Sequence, residues 1–432
     1  MLIGVVVLVI IGAGVGFGLH SKSSGATMKV AWSVNATKGT QSTNTALAGS
    51  WATPTSVIDG RSDGVIAYSL KNGAQIWGWQ VPSGSTGCHM STTTAGGIGV
   101  LAYGEKFCDQ LVAFKLDTGQ QVWPHAISLG DPKGHSTPSA TFVAVDGDVM
   151  AVVAPDDTLG AYDLTTGKKL WQKSEDDFDA SLDCDLWGAS VIGTTAYALH
   201  TCTPASGGLN YSYIVTGYNA QTGAKTWTGQ IRQLGDQDTV SLWSDPADGY
   251  LFVADSSDSS AQLLSFSVPK GSGSTTPTTV KLDDYDTNDA FTPSDQNGGQ
   301  QVPHGYAVYG HTLYIEGARP HDSRVNNVNA IDLASGKKLW TQAIPGDSIA
   351  ILGADASGVH TVASKDDVSP FQLVTFSASA GKKTEGASID DTRINIQTED
   401  QTYLDGKYLV DLPSATFAGD AEIVVLSGAK IS

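Results

Sequence analysis

The 432-residue chain carries 44 acidic against 25 basic side chains, a net charge of −19, and is only 16% charged, with 49 glycines. Phosphate binding needs clustered Lys and Arg, and no basic run occurs, so this balance excludes nucleic acid and argues against anionic lipid as a partner. It fits a self-repelling acidic surface, with cation binding as the alternative.

Leu2 to Leu19 carry no charge. As a helix this stretch would rise ~27 Å, close to the ~30 Å hydrocarbon core of a bilayer. Residues 1–20 are therefore expected to form a transmembrane anchor. It is expected to stay uncleaved, because no Lys or Arg precedes the apolar run as in a secretory signal. Gly12, Gly14, Gly16 and Gly18 give small-xxx-small pairs, which either mark a helix dimer face or are tolerated in a lone anchor. Residues 21–27 read as a polar tether.

A strand follows over Lys29–Val34, with Trp32 inside it and no hairpin partner before it. The segments Ala67–Trp77, Ala113–Trp123, Ala161–Trp171, Gly217–Trp227 and Ala330–Trp340 then share one pattern. Each is a strand, a turn closed by glycine and a second strand reaching a tryptophan. Ala161–Trp171 reads A-Y-D-L-T-T-G-K-K-L-W, with Gly167 free to take φ > 0 at the reversal. Two degraded copies lack the tryptophan: Ser265–Gly271, and Thr375–Glu385 with glutamate in its place. The turn glycines Gly73, Gly119, Gly167, Gly223, Gly271, Gly336 and Gly381 recur every 45 to 65 residues. Two more apolar strands precede each hairpin, as in Ala140–Val145 and Val149–Val153 around the Asp146-Gly147 turn. Four strands at a period near 45 residues are the mark of propeller blades.

Gly428 lies 47 residues after Gly381, and the strand Glu422–Leu426 has no tryptophan strand after it. The strand holding Trp32 supplies the missing piece and removes an open edge. The expected fold is all-β: one transmembrane helix, then an eight-bladed β-propeller over residues 28–432, built of four-stranded antiparallel blades and closed by the N-terminal strand. Seven blades is the fallback, given the degraded fifth copy.

The four cysteines, Cys88, Cys108, Cys184 and Cys202, contain no C-x-x-C, so zinc and c-type haem have no support. Three pairings are possible. The cysteines flank the inner strand pairs of the second and fourth repeats at equivalent positions. That equivalence favours Cys88–Cys108 and Cys184–Cys202 over four free thiols, each bridge adding roughly 2–4 kcal/mol outside the cytosol.

Chemistry-bearing patterns are sparse. Asp283, Asp284, Asp286, Asn288 and Asp289 offer oxygens suited to calcium but lack the glycine and distal glutamate of an EF-hand loop. A solvated acidic loop is expected there, and likewise for Glu175, Asp176, Asp177, Asp179, Asp183 and Asp185. His304, His311 and His321 are the nearest approach to a histidine cluster and read as surface or turn residues. No G-x-S-x-G, H-E-x-x-H or phosphate-loop pattern occurs. No catalytic, cofactor-binding or metal residue is assigned, and no cofactor is expected.

The repeats resemble the PQQ-like (quinoprotein-type) β-propeller repeat family, in its BamB-like form. The carriers are Ala161, Asp163, Thr166, Gly167 and Trp171, then Ala330, Asp332, Gly336 and Trp340 with serine for threonine. The resemblance covers Met28 to Ser432. It implies that Trp32, Trp77, Trp123, Trp171, Trp227 and Trp340 are structural, each docking between neighbouring blades, so Trp171→Ala is expected to cost roughly 3–5 kcal/mol. Quinoprotein dehydrogenases of the family carry a vicinal Cys-Cys pair over the cofactor and a calcium ion, and this sequence has no adjacent cysteines. A WD40 reading fits poorly, because no W-D dipeptide closes a repeat.

Fold does not fix function. The expected function is a non-catalytic, membrane-tethered scaffold on the extracytoplasmic side of the cell membrane. Its expected partner is an envelope protein or surface ligand, with Lys270–Gln301, the longest insertion, as the contact. The alternatives are a PQQ-dependent dehydrogenase and the sensor ectodomain of a receptor kinase-like signalling protein.

Overall fold

The computed structural model describes residues 27–35, 45–130, 141–174, 182–204, 212–233, 240–245, 248–255, 262–267, 278–281, 305–317, 325–345, 348–364, 371–389, 399–404, 407–413, 415–416 and 421–427. The chain is all-β over these residues, with the four-stranded antiparallel sheets of a β-propeller.

The opening strand is β1 (Thr27–Asn35). The first sheet holds β2 (Thr45–Ala52), β3 (Ser56–Arg61), β4 (Gly64–Ser69) and β5 (Gln75–Gln80). The second holds β6 (Thr86–Met90), β7 (Ile98–Gly104), β8 (Gln110–Lys115) and β9 (Ile127–Ser128). The third holds β10 (Phe142–Asp146), β11 (Val149–Val153), β12 (Leu159–Asp163) and β13 (Lys169–Lys173). The fourth, with the longest strands, holds β14 (Leu182–Ile192), β15 (Thr195–Pro204), β16 (Ser212–Asn219) and β17 (Lys225–Gln233).

The fifth sheet follows with β18 (Val240–Asp245), β19 (Tyr250–Asp255), β20 (Gln262–Ser267) and β21 (Thr278–Lys281). The sixth has β22 (Tyr306–Tyr309), β23 (Thr312–Glu316), β24 (Val325–Asp332) and β25 (Lys337–Pro345). The seventh has β26 (Ser348–Asp355), β27 (Gly358–Ser364), β28 (Phe371–Ser377) and β29 (Lys383–Ile389). The last unit combines β30 (Glu399–Leu404), β31 (Tyr408–Pro413) and β33 (Ala421–Ser427) with β1. The short β32 (Ala415–Thr416) pairs instead with β2 of the first sheet, Thr45 opposite Thr416.

Among the described residues β1 thus pairs with β33 of the last unit. Lys29 lies opposite Ser427 and Val34 opposite Ile423 in an antiparallel ladder. The same strand touches the seventh sheet through a short parallel pairing, Thr27 with Ser388 and Met28 with Ile389.

Burial follows the period-2 rule. The inner strand β11 is buried along its whole length, whereas the outer strand β13 reaches solvent. Alternate residues of each inner strand face opposite neighbours, so the core is a series of apolar layers between sheets. Met150, Val152 and Tyr162 of the third sheet pack on the second, while Ala151, Val153 and Ala161 pack on the fourth. One such layer joins Val57, Tyr68 and Leu70 of the first sheet to Val410, Leu412, Ile423 and Val425 of the last.

In each sheet the first and third turns lie at one end, and the second turn and the connection to the next sheet lie at the other. Neighbouring sheets are joined at like ends. Gly193 N–H donates to the Asp146 carboxylate at 2.6 Å and Gly310 N–H to the Asp248 carboxylate at 2.9 Å, first turn to first turn in both cases.

Among the described residues no helix is long and apolar enough to cross a membrane. The anchor expected at 1–20 and residues 21–26 of the tether expected at 21–27 lie outside the described residues, and Thr27 begins β1.

Candidate functional site

Two features stand out: the seams between sheets and Trp187, which with Tyr309 at the end of β22 is one of two exposed aromatics on inner strands among the described residues. The seams are built by the repeat. Trp32 Nε1 donates to the Leu70 carbonyl at 3.0 Å, Trp77 to Leu116 at 3.0 Å and Trp123 to Leu164 at 2.8 Å. Trp171 donates to Ala220 at 2.8 Å and Trp340 to Ala378 at 3.0 Å. In every case the acceptor lies three residues before the turn glycine of the next sheet. That glycine sits under the indole: a Cβ at Gly119 would come within 2.4 Å of Trp77, and one at Gly381 within 2.7 Å of Trp340. Each indole so covers the turn and serves a carbonyl that burial would otherwise strand.

Trp227 is buried and meets Tyr197 edge-on at 6.1 Å, while the following turn, with Gly271, lies outside the described residues. Trp123 differs from expectation in falling on a connection rather than a strand, because Pro124 after it cannot donate to a ladder.

The two copies without tryptophan are joined by other means. Between the fifth and sixth sheets, Ser265 Oγ donates to the Leu333 carbonyl at 3.4 Å, the position an indole occupies elsewhere, and Thr278 Oγ1 donates to Ala334 at 3.3 Å. Between the seventh sheet and the last unit, Glu385 stands at the tryptophan position and pairs with Lys383 at 2.9 Å. There the parallel β1–β29 pairing makes the junction.

Both disulfides sit at the end holding the second turns. Cys88–Cys108 and Cys184–Cys202 are formed, and among the described residues no cysteine is free. Their positions are not equivalent as the repeat suggested. Cys184 and Cys202 face each other in the β14–β15 ladder with Cα atoms 4.0 Å apart. Cys88 falls at a register shift in β6 and reaches Cys108 in the turn beyond β7, Cα to Cα 6.1 Å.

Trp187 is a residue that the repeat gives no reason to single out. The ladder between β14 and β15 slips between Leu186 and Gly188, so Trp187 is the extra residue of a bulge. Its neighbours Leu186 and Gly188 are buried, but Trp187 is 46% exposed. A bulge re-aims one side chain out of the alternation. The Asp146–Gly193 bond aligns the first turns of the third and fourth sheets, and β14 has 11 residues against 5 in β10. The first half of β14 therefore runs past Phe142 at the start of β10. It presents Trp187 and exposed Asp185 beside the buried Cys184–Cys202 bridge. A glycine within a strand, here Gly188, is compatible with a bulge but does not by itself say whether the ladder slips there.

His200, opposite Leu186, is buried, and burial, then the charge of Lys225, pushes its pKa down to about 3. The imidazole is neutral at physiological pH, with one ring nitrogen carrying a proton and the other able to accept one. Tyr162 and Tyr197 are pushed up to about 12 by burial and keep their protons.

Among the described residues no group of three or more His, Cys, Asp or Glu side chains is placed to hold a metal ion. His311 sits exposed at the turn before β23, bonded to Tyr250, and its expected neighbours His304 and His321 lie outside the described residues. The aspartates at 283–289, the acidic residues at 175–179 and most of the insertion at 270–301 also lie outside them. All four cysteines bridge separate segments, so the residues present do not fit the vicinal pair of a quinoprotein site. What the exposed edge offers is contact: a large indole beside a carboxylate on a disulfide-braced strand pair.

Residues 62–248 match the family model of the outer membrane protein assembly factor BamB. The repeats over that stretch are PQQ-like and BamB-like. The chain is similar in structure to BamB from Moraxella catarrhalis, at TM-score 0.50 and 14% identity, over 93% of this chain and 98% of that one. It is also similar to the quinohemoprotein alcohol dehydrogenase of Comamonas testosteroni, at TM-score 0.54 and 13% identity, over 93% and 76%. A europium-containing methanol dehydrogenase gives TM-score 0.50 at 13% identity, over 93% of both chains. At such identities these likenesses describe the fold. No curated protein matches the chain by sequence.

Proposed function

We propose that this chain is a non-catalytic β-propeller scaffold of eight blades, closed by β1, that binds another protein of the cell envelope. In this reading residues 1–20 tether it to the cell membrane, with the propeller on the extracytoplasmic side. The BamB-like repeats and the two disulfides support it, since disulfides persist outside the reducing cytosol.

The observation that carries the reading is Trp187, 46% exposed on an inner strand whose adjacent positions are buried. Large aromatics on rigid, partly desolvated surfaces are the residues on which protein interfaces concentrate their energy. The bulge holds the indole without a loop to order on binding, which lowers the entropic cost of association.

The test places a photo-crosslinking phenylalanine derivative at Trp187 and, as control, at Lys169 on an outer strand. A discrete adduct with an envelope protein is expected from position 187 and not from 169. Trp187→Ala should leave the thermal melt unchanged and abolish capture through a cross-linker at Asp185. Equal adducts at 187 and 169, or capture undiminished by Trp187→Ala, would refute the assignment.

A further inference from the structure

Composition argued against a lipid-facing surface, but the fold redistributes the charge. Lysine pairs follow the turn glycine in three sheets: Lys168–Lys169 after Gly167, Lys337–Lys338 after Gly336 and Lys382–Lys383 after Gly381. All six side chains are exposed, and all lie at the sheet end that carries the first and third turns. Exposed aliphatics occur three residues after the turn glycine in two sheets, of which the sixth carries a lysine pair. Leu339, directly after Lys338, is 54% exposed, and Ile76, at the same distance from Gly73, is 47% exposed. The aspartates of these turns are turned back into the backbone. Asp163 accepts the Thr165 and Thr166 N–H groups at 3.0 and 2.8 Å, and Asp332 accepts the Ala334 N–H at 2.9 Å.

The uncharged segment Leu2–Leu19 precedes β1 in the chain, and β1 starts at this same end. β1 is the fourth strand of its unit, and Lys29 at its start lies opposite Ser427, where β33 ends. By register, Lys29 and Val30, opposite Ser427 and Leu426, therefore stand where Lys337 and Lys338 stand opposite Asp332 and Ile331. Both disulfides and the first half of β14 lie at the opposite end.

We propose that the turn end marked by Lys168–Lys169, Lys337–Lys338 and Lys382–Lys383 lies against an anionic lipid surface, leaving the disulfide-bearing end and Trp187 to face the partner. This rests on the tether reading above. Lysines with aliphatic neighbours suit the headgroup boundary, where the ammonium meets lipid phosphate and the alkyl part meets the acyl edge. Three pairs spread around a ring hold its plane against the bilayer, which a single patch would not.

The test reconstitutes the full chain into vesicles of phosphatidylcholine alone and of phosphatidylcholine mixed with phosphatidylglycerol, followed by flotation and amine acylation read by mass spectrometry. The chain is expected to float with both. Acylation of the six lysines should fall roughly fivefold on the anionic vesicles at low salt and recover at high salt. Lys106, in the turn after β7 at the other end, should react equally in both. If the chain floats with both vesicles and the six lysines react alike, this orientation is wrong while the tether stands. If it floats with neither, tether and orientation fall together.

Discussion

Trp171 and Gly223 are joined face to turn: the indole lies over the glycine, where a Cβ would come within 2.9 Å of it, and its Nε1 reaches the Ala220 carbonyl at 2.8 Å. The pair belongs to different sheets, so the contact is a bond between repeats. The same relation recurs from Trp32 to Gly73, Trp77 to Gly119, Trp123 to Gly167 and Trp340 to Gly381. Stability should then depend on each seam separately, because a repeat array sums unit and neighbour terms.

Trp123 is only 3% exposed, so Trp123→Ala is expected to cost about 3–5 kcal/mol by loss of transfer energy and cavity formation. Trp171 is partly exposed, so Trp171→Ala should fall at or just below the low end of that range, roughly 2–3 kcal/mol. Ser265→Ala, which removes a single hydroxyl from the seam without an indole, should cost about 1 kcal/mol. Urea unfolding of the three variants gives the ranking, and equal midpoints would disprove it.

The turn glycines separate two effects. Gly119 has φ +69 and an indole within 2.4 Å of its missing Cβ, whereas Gly147 has φ +56 and nothing within 4 Å. Gly147→Ala should show backbone strain alone, about 1 kcal/mol. Gly119→Ala adds displacement of Trp77 and should cost about 2–4 kcal/mol. Differential scanning calorimetry should place the Gly119 variant clearly below the Gly147 variant.

The hairpins were legible because a turn glycine and a tryptophan four residues on need only local spacing. The β1 strand was legible too, since a fourth strand was missing at one end of the array and unpartnered at the other. The inner-strand edge was not. A one-residue slip between Leu186 and Gly188 decides whether Trp187 is core or surface, and that slip is set by packing on the neighbouring sheets. The lysine pairs were visible as residues, but their common end of the sheets exists only once the strands are paired. Ser265 gave no signal at all, because a serine replaces an indole at the Leu333 carbonyl from a different strand.

Acid should destabilise the fold through His200. Its pKa is about 3 in the folded state, lowered by burial and then by Lys225, against 6.5 unperturbed. Between those values the unfolded chain binds a proton that the folded chain excludes. Stability therefore rises with pH across this window and is lost as pH falls from about 6.5 toward 3. The loss should be about 2 kcal/mol near pH 5 and on the order of 5 kcal/mol when complete. His200→Gln should flatten that part of the stability profile, as read from denaturant midpoints across the window. An unchanged slope would show that other groups carry the acid response.

The last seam contains charge. Arg61 Nε lies 3.0 Å from Asp59 Oδ2, and both side chains are almost fully buried. They share the face of β3 on which Val57 packs against Val410 and Leu412 of the last unit. A buried pair offsets its own desolvation only while both members are present. Arg61→Met should therefore cost about 3–5 kcal/mol by leaving the Asp59 carboxylate inside the seam. Asp59→Leu combined with Arg61→Met removes both charges and should recover most of that loss. If the double variant melts no higher than Arg61→Met alone, the pair contributes more than mutual neutralisation where the first sheet meets the last.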